Sequence, residues 1–451
     1  MADYAKIFKA YDIRGTVPDE LDEGVAQAVG AAFARLTGAP AVVTVHDMRT
    51  SSGPLAEAFG LGAASQGADV VSAGLGSTDM LYYASGSLGI PGAMITASHN
   101  PAKYNGIKLC RAGARPVGAD TGLAELRAMA ERGVPPARVA PGTIEPHDLL
   151  SGYAAHLKTL VDLSGIRPLT VAVDAGNGMA GHTVPKVFEG LPITLVPLYF
   201  ELDGTFPNHE ANPIEPKNLA DLQRAVVSSG ADIGLAFDGD ADRCFVVDER
   251  GEIVSPSVLT ALIAVAELAR EPGATIIHNL ITSRAVPEIV SAHGGVPVRT
   301  RVGHSFIKAE MAATGAIFGG EHSGHFYFRD FWFADSGMLA ALHVLAALGS
   351  QDGPLSALLT AYARYRSSGE INSEVRDQRA TTERVRAAFA DADGVSMDEL
   401  DGLTVARGDW WFNLRPSNTE PLLRLNVEAP DEQTLTDVRD QVLRIVHDDA
   451  D

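Results

Sequence analysis

Apolar positions along this chain fall into short runs broken by polar or glycine-rich turns, and three stretches share one layout. AVVTVHD (41–47) is followed by a polar loop, Pro54 and VVSAG (70–74). LTVAVDAGNG (169–178) leads to Pro185 and ITLVP (193–197), and ATIIHNL (274–280) leads to Pro287 and VPVRT (296–300). A β-branched run, a loop, a proline suited to a first helical turn and a second β-rich run predict a βαβ unit. Its recurrence predicts three related α/β domains packed tightly around something shared. The last part differs. GLTVARGDWWFNLRPSNTEPLLRLNVEA (402–429) reads as consecutive strands, and DEQTLTDVRDQVLRIV (431–446) has helical periodicity. A smaller C-terminal α+β domain fits there, with expected divisions 1–147, 148–250, 251–366 and 367–451.

Length and charge narrow the function classes. At 451 residues the chain holds several domains, and 46% apolar with 21% charged residues is a globular balance. A net charge of −21 repels polyanions, so nucleic acid and anionic membranes are not expected partners. An anionic ligand would need locally placed Arg, Lys and His. The two cysteines, Cys110 and Cys244, are too few for a disulfide framework. The apolar stretches 259–269 and 338–348 are shorter than the ~18 residues of a membrane span. MADYAKIFKAYDIRG lacks an apolar signal core, and a cytoplasmic protein is expected.

Four stretches carry chemistry. In IGLAFDGDADRCFVVDERGE (233–252), Asp238, Asp240 and Asp242 alternate with small residues between strand-like flanks. Three carboxylates so close repel one another unless a cation sits among them, and oxygen-only ligands point to a hard ion, Mg²⁺ first. An EF-hand fails here because Arg243 stands where that loop needs glycine and the flanks alternate as strands do. Mg²⁺ fills its open positions with water or phosphate oxygen, and Arg243 offers a guanidinium to the same phosphate. MITASHNPAKYNGIKL (94–109) ends an apolar run in Ser98, His99 and Asn100, stiffened by Pro101. Alone, Ser98 would be a turn serine; beside a Mg²⁺ loop it is a nucleophile, with His99 and Lys108 as alternative proton or charge partners. FGGEHSGHFYF (318–328) brackets Glu321, His322, Ser323 and His325 with glycines. A carboxylate and hydroxyl two apart suit vicinal sugar hydroxyls, and His-x-x-His without a third ligand is a weak metal signal. TRVGHSFIK (300–308) adds His304 and Lys308, as anion contacts or as ordinary surface residues. FNLRPSNTEPLLRL (412–425) presents Arg415, Ser417, Asn418 and Thr419 on a donor-rich turn able to hold phosphate. Tyr11 and Arg14 in AYDIRG are too little to interpret unaided.

TASHNP, DGDADR, GEHSGH and RPSNTEP, in this order, closely resemble the phosphoserine, metal, sugar and phosphate loops of the α-D-phosphohexomutase superfamily, and YDIRG and FPNHEANPIEPKNL look family-like too. The resemblance implies that Ser98 is the phosphorylated serine, and that Asp238, Asp240 and Asp242 hold one Mg²⁺ together with a phosphate oxygen on Ser98. It implies that Glu321 and Ser323 read O3 and O4 of a hexose, and that Arg415, Ser417, Asn418 and Thr419 grip the substrate's own phosphate. It further implies three mixed α/β domains and a smaller C-terminal α+β domain around a central cleft, which Tyr11, Arg14, His99, Lys108, Arg243, His304 and His325 would complete. The implied reaction moves phosphate between O1 and O6 of a phosphorylated hexose through a hexose 1,6-bisphosphate. His322 and Asn418 resemble the phosphomannomutase/phosphoglucomutase branch rather than the phosphoglucosamine branch, and mannose is the expected sugar with glucose a second. A phosphoglucosamine mutase and a metal-dependent serine phosphohydrolase are the alternatives. Oligomeric state is not legible.

Overall fold

The computed structural model describes residues 3–135, 137–416 and 422–448, apart from the side chains of Asp120 and His304. Each predicted βαβ unit forms a parallel pair: Ala41–His46 with Asp69–Leu75, Leu169–Asp174 with Ile193–Leu198, and Thr275–Asn279 with Val296–Thr300. The strands LTVAV and TIIHN are buried over most of their length, as parallel strands covered on both faces should be. Pro54 and Pro287 sit early in their helices, Ser52–Ala64 and Ala285–Ala292. Pro185 does not: it lies well inside Ala180–Phe188. Its helix starts early because the turn before it is short and tightly packed, with Gly178 against the backbone of Gly239.

The three sheets extend these pairs identically. Gly92–Ile95, Ile233–Phe237 and Phe318–Gly320 each add a parallel strand beside the first of the pair. Tyr104–Arg111, Cys244–Asp248 and Phe326–Phe328 then run back antiparallel. A fifth antiparallel strand follows in each: Ile13–Thr16, Ile253–Val254 and Ala334–Asp335. Ser98, the aspartates and Glu321 therefore all lie in the hairpin between the third and fourth positions of their sheets. The first sheet gains Ile144–Pro146 and Arg115–Pro116, and Ile253–Val254 closes the second sheet just past residue 250. In the C-terminal part an antiparallel sheet, ordered Arg366–Glu374, Leu422–Ala429, Trp410–Pro416, Leu403–Arg407 and Val395–Asp398, packs beside Glu432–His447.

Packing joins the first three units more closely than the fourth. Val43 and Val45, Val171 and Val173, and Ile276 and Phe318 belong to one continuous buried cluster. The C-terminal unit has its own core around Val385, Phe412, Leu425 and Val442. It meets the third unit through a small apolar contact at Leu280, Ile281 and Trp411 and through polar links, among them Arg299 Nη1 to Asp398 Oδ2 at 2.8 Å and the Arg284 amide to Glu428 Oε1 at 2.9 Å. No helix of the described residues is long and apolar enough to cross a membrane.

Candidate active site

Ser98 sits where the strand Gly92–Ile95 has just ended, in left-handed backbone at φ 51°. That conformation is rare outside glycine and interrupts the alternation of side chains along the strand. Ser98 and His99 therefore reach the same space, with Ser98 Oγ 3.1 Å from His99 Nδ1. The same hydroxyl donates to Asp238 Oδ2 at 2.8 Å, joining loops that are 140 residues apart in sequence. Gly239 allows this approach, since a Cβ there would stand 2.5 Å from the Ser98 carbonyl oxygen.

Asp238, Asp240 and Asp242 are fully or almost fully buried, and one ligand oxygen from each can be chosen with all three within 4.8 Å of one another. Lys108 Nζ lies 2.6 Å from Asp240 Oδ2 and 2.6 Å from Asp242 Oδ2. Arg243 Nε donates to Asp238 Oδ2 at 2.9 Å. From the first unit, Thr78 gives its amide to the Asp240 carbonyl at 2.9 Å and its hydroxyl to Asp240 Oδ2 at 2.5 Å. Asp240 Oδ1, Asp242 Oδ1 and Arg243 Nη2 remain buried without a hydrogen-bond partner. Orphaned carboxylate oxygens at this density fit a hard divalent cation, and an orphaned guanidinium nitrogen beside them fits a phosphate.

The electrostatics divide the groups by role. Burial opposes the charge on Lys108, but Asp240 and Asp242 outweigh it and raise its pKa, so Lys108 stays an ammonium. Burial opposes the charge on Asp240 as well, and Lys108 and Thr78 reverse this, lowering its pKa. Asp238 goes up, because burial and its two acidic neighbours exceed the relief from Arg243. Burial, then Arg243 and Arg14, hold His99 well below the usual histidine range, and its imidazole is neutral.

A cavity of about 140 Å³ opens over these groups, lined by Tyr11, Arg14, Ser98, His99, Lys108, Asp242, Arg243 and His325, with Tyr82, Lys308 and Asp335 among its other walls. Arg14 reaches Asp12 and Asn100. His325 Nε2 lies 3.7 Å from Asp242 Oδ1, and its Nδ1 is 3.0 Å from Ser323 Oγ. Glu321 lies deeper, taking hydrogen bonds from Tyr327 at 2.7 Å and Asn279 at 3.1 Å. Asp242, His325 and Asp335 form a second cluster of ligand type, but Lys308 stands 2.6 Å from Asp335 and supplies the positive charge there. Arg415 is not on the cavity wall: it pairs with Glu370 at 3.1 Å, and its Nε is buried without a hydrogen-bond partner. After burial itself, Arg415 is the largest influence holding down the His322 pKa, which falls to about 3. Ser417, Asn418, Thr419 and the His304 side chain lie outside the described residues. Sequence reasoning missed Thr78, Asp335 and Arg49; the last, in HDMRTSS, is only 3% exposed.

Four family models match successive parts of the chain: phosphoglucomutase/phosphomannomutase alpha/beta/alpha domain I over residues 5–133, domain II over 151–251, domain III over 255–365 and the C-terminal domain over 370–445. A phosphomannomutase of Salmonella montevideo is 40% identical over 441 residues, covering 96% of each chain. A protein of Xanthomonas campestris pv. campestris described as phosphohexose mutases is 42% identical over 437 residues, covering 96% of this chain and 97% of that one. Among solved structures, a phosphoglucomutase/phosphomannomutase family protein from Burkholderia thailandensis superimposes with a TM-score of 0.89 at 34% identity, covering 100% of this chain and 98% of that one.

Proposed function

The chain belongs to the phosphoglucomutase/phosphomannomutase family and is a phosphohexomutase, and from that premise we propose that it works through a phosphorylated Ser98 on mannose phosphate in preference to glucose phosphate. The observation that carries this reading is the 2.8 Å approach of Ser98 Oγ to Asp238 within a buried triad of carboxylates. Relatives of the mannose branch at about 40% identity support the sugar, and the phosphoglucosamine and phosphohydrolase alternatives are not favoured.

Ser98, Asp238, Asp240 and Asp242 would hold one Mg²⁺, which when bound supplies positive charge against the transferring phosphoryl group. Phospho-Ser98 gives its phosphoryl group to the free hydroxyl of the hexose phosphate: the sugar O–P bond forms as the Ser98 Oγ–P bond breaks. The resulting hexose 1,6-bisphosphate reverses in the cleft, and Ser98 takes the phosphoryl group from its other end. Loss and regain of phosphate leave Ser98 unchanged over a full cycle. The work of the chain is positioning and charge, which phosphoryl transfer chiefly demands. Lys108 and Arg243 offset negative charge, and neutral His99, 3.1 Å from Oγ, is placed to exchange a proton with that oxygen. Arg14, Lys308 and His325 line the space for the sugar phosphate, and Arg415 with Ser417, Asn418 and Thr419 would hold its standing phosphate.

Mannose, glucose and glucosamine 1-phosphates compared by kcat/KM test the sugar, with mannose expected first and glucosamine last. Intact-mass spectrometry should find one phosphate, lost in Ser98→Ala along with turnover. A Ser98→Ala protein with robust mutase activity refutes the scheme. Release of inorganic phosphate in place of the 6-phosphate refutes the mutase direction.

A further inference from the structure

The motif FPNHEANP is not used by the chemistry above, yet it packs behind the serine loop. The link is Arg49. The strand Ala41–His46 ends at Asp47, whose amide is bonded to the Ile95 carbonyl at 3.0 Å, so the serine-bearing strand and its neighbour end together. Arg49 turns back from this point and is buried. Its Nε donates to Asp47 Oδ2 at 3.2 Å. Its Nη1 donates to the carbonyls of Pro101 at 3.0 Å and Tyr104 at 2.9 Å, and its Nη2 to those of Ser98 at 2.9 Å and Asn100 at 2.6 Å. All five N–H groups of one rigid fork are used, three on the loop that carries Ser98 and one on Tyr104, where the next strand begins.

The second unit holds this fork from below. The Phe206 ring lies 5.0 Å from the Arg49 guanidinium carbon. Gly204 passes so near that a Cβ would stand 2.5 Å from Arg49 Cα. The Ser98 carbonyl is thus fixed between Arg49 Nη2 and Gly239, and the left-handed backbone that aims its hydroxyl at Asp238 is held from both sides.

We propose that Arg49, braced by Phe206, is a positioning residue for phosphoryl transfer, setting the backbone of Ser98 so that its oxygen meets the acidic loop in line for reaction. The inference rests on the reading that Ser98 carries the phosphoryl group. Arg49 does not line the cavity, so substrate binding should be nearly indifferent to it.

Arg49→Lys keeps the charge but has three N–H groups where five are used. Steady-state mutase assays should show kcat reduced about 10- to 100-fold, the scale of a misplaced reacting atom, with KM within about threefold. Single-turnover phosphorylation of the dephosphorylated full-length protein by glucose 1,6-bisphosphate, read by mass at Ser98, should slow by the same factor. Phe206→Leu should do the same more weakly, about two- to fivefold in kcat. An Arg49→Lys protein that folds and phosphorylates at the wild-type rate overturns the inference, as does a fall confined to KM. If Arg49→Lys does not fold, Phe206→Leu decides: an unchanged kcat overturns the inference and a lowered kcat at constant KM supports it. A wild-type protein that turns over without phosphate on Ser98 removes the serine reading, and the inference with it, whereas normal phosphorylation in wild type and both variants removes the inference alone.

Discussion

Asp79→Asn should make this protein more stable at neutral pH. Asp79 lies in the first turn of the helix Thr78–Leu88 and is fully buried. Its carboxylate accepts from the hydroxyls of Ser77, Tyr153 at 2.7 Å and Ser336 at 2.6 Å. These donors come from three units: Tyr153 from Leu150–Leu160, and Ser336 from the cap of Gly337–Gly349. Burial raises the Asp79 pKa from 3.8 to about 6, the three hydroxyls offset part of the cost, and repulsion from Asp242 adds less than any of these.

The sign follows from proton uptake. Between the two pKa values the folded protein holds a proton that the unfolded chain releases, so the contribution of Asp79 is most favourable below pH 3.8 and is lost as pH rises through about 6. At ~1.4 kcal/mol per pH unit, the ionised group destabilises the native state by about 3 kcal/mol at neutral pH. Asparagine has the same shape and no charge, and the rotating Ser77 hydroxyl can accept from its NH₂ group. The variant should match wild type near pH 4 and exceed it progressively to pH 7, by on the order of 5 °C in Tm. Thermal unfolding of both proteins from pH 4 to 8 measures this. A Tm difference that is flat with pH, or that turns against the variant as pH rises, refutes the reasoning.

Gly239→Ala brings a Cβ within 2.5 Å of the Ser98 carbonyl oxygen and must push the serine and acidic loops apart; kcat should fall at least about 10-fold while the circular dichroism spectrum is kept, and an unchanged kcat contradicts the close approach. Lys108→Met removes the ammonium between Asp240 and Asp242, and kcat measured at saturating sugar phosphate should drop about 10²- to 10³-fold, a loss under threefold excluding Lys108 from charge stabilisation. Chelation by EDTA should abolish turnover and Mg²⁺ restore it, with Asp240→Asn needing more Mg²⁺ for half-maximal activity; turnover that survives exhaustive chelation rules out the cation site. Glu321→Ala should lower turnover and leave Ser98 phosphorylation intact, and an unaffected rate takes the sugar loop out of the account.

The fold was readable wherever a strand is buried on both faces. The apolar positions of LTVAVD and TIIHN stand in a row because both faces of these strands are covered over most of their length. Ile13–Thr16 was not readable: IRGT has two half-buried positions and no apolar run, and it becomes a strand only because Tyr104–Arg111 offers an open edge. That pairing also explains Arg14, which is carried to Asn100 in the serine loop. Pro185 misled for a related reason, since the early start of its helix is set by packing of Gly178 on Gly239, a contact far away in sequence.

The site was legible where chemistry is concentrated in one turn and illegible where one residue acts through another chain segment. Three aspartates in five residues have no stable arrangement without a positive partner, so the acidic loop declares itself in any context. Ser98 gains its meaning from those aspartates. Its neighbour shows how backbone overrides a local rule: adjacent side chains diverge on a strand, but the left-handed φ at Ser98 brings His99 to the same oxygen. Arg49 and Asp79 are single charges in ordinary-looking polar stretches, and the sequence has no sign that one will meet four carbonyls and the other three hydroxyls. A buried charge without partners costs still more than one that has them, so each ties down what its partners belong to. Arg49 ties the serine loop to its own sheet, and Asp79 ties together the three units whose equivalent hairpins converge on the cavity. The loops proposed to react can then be short, because they are fixed from behind by groups that do not line the cavity.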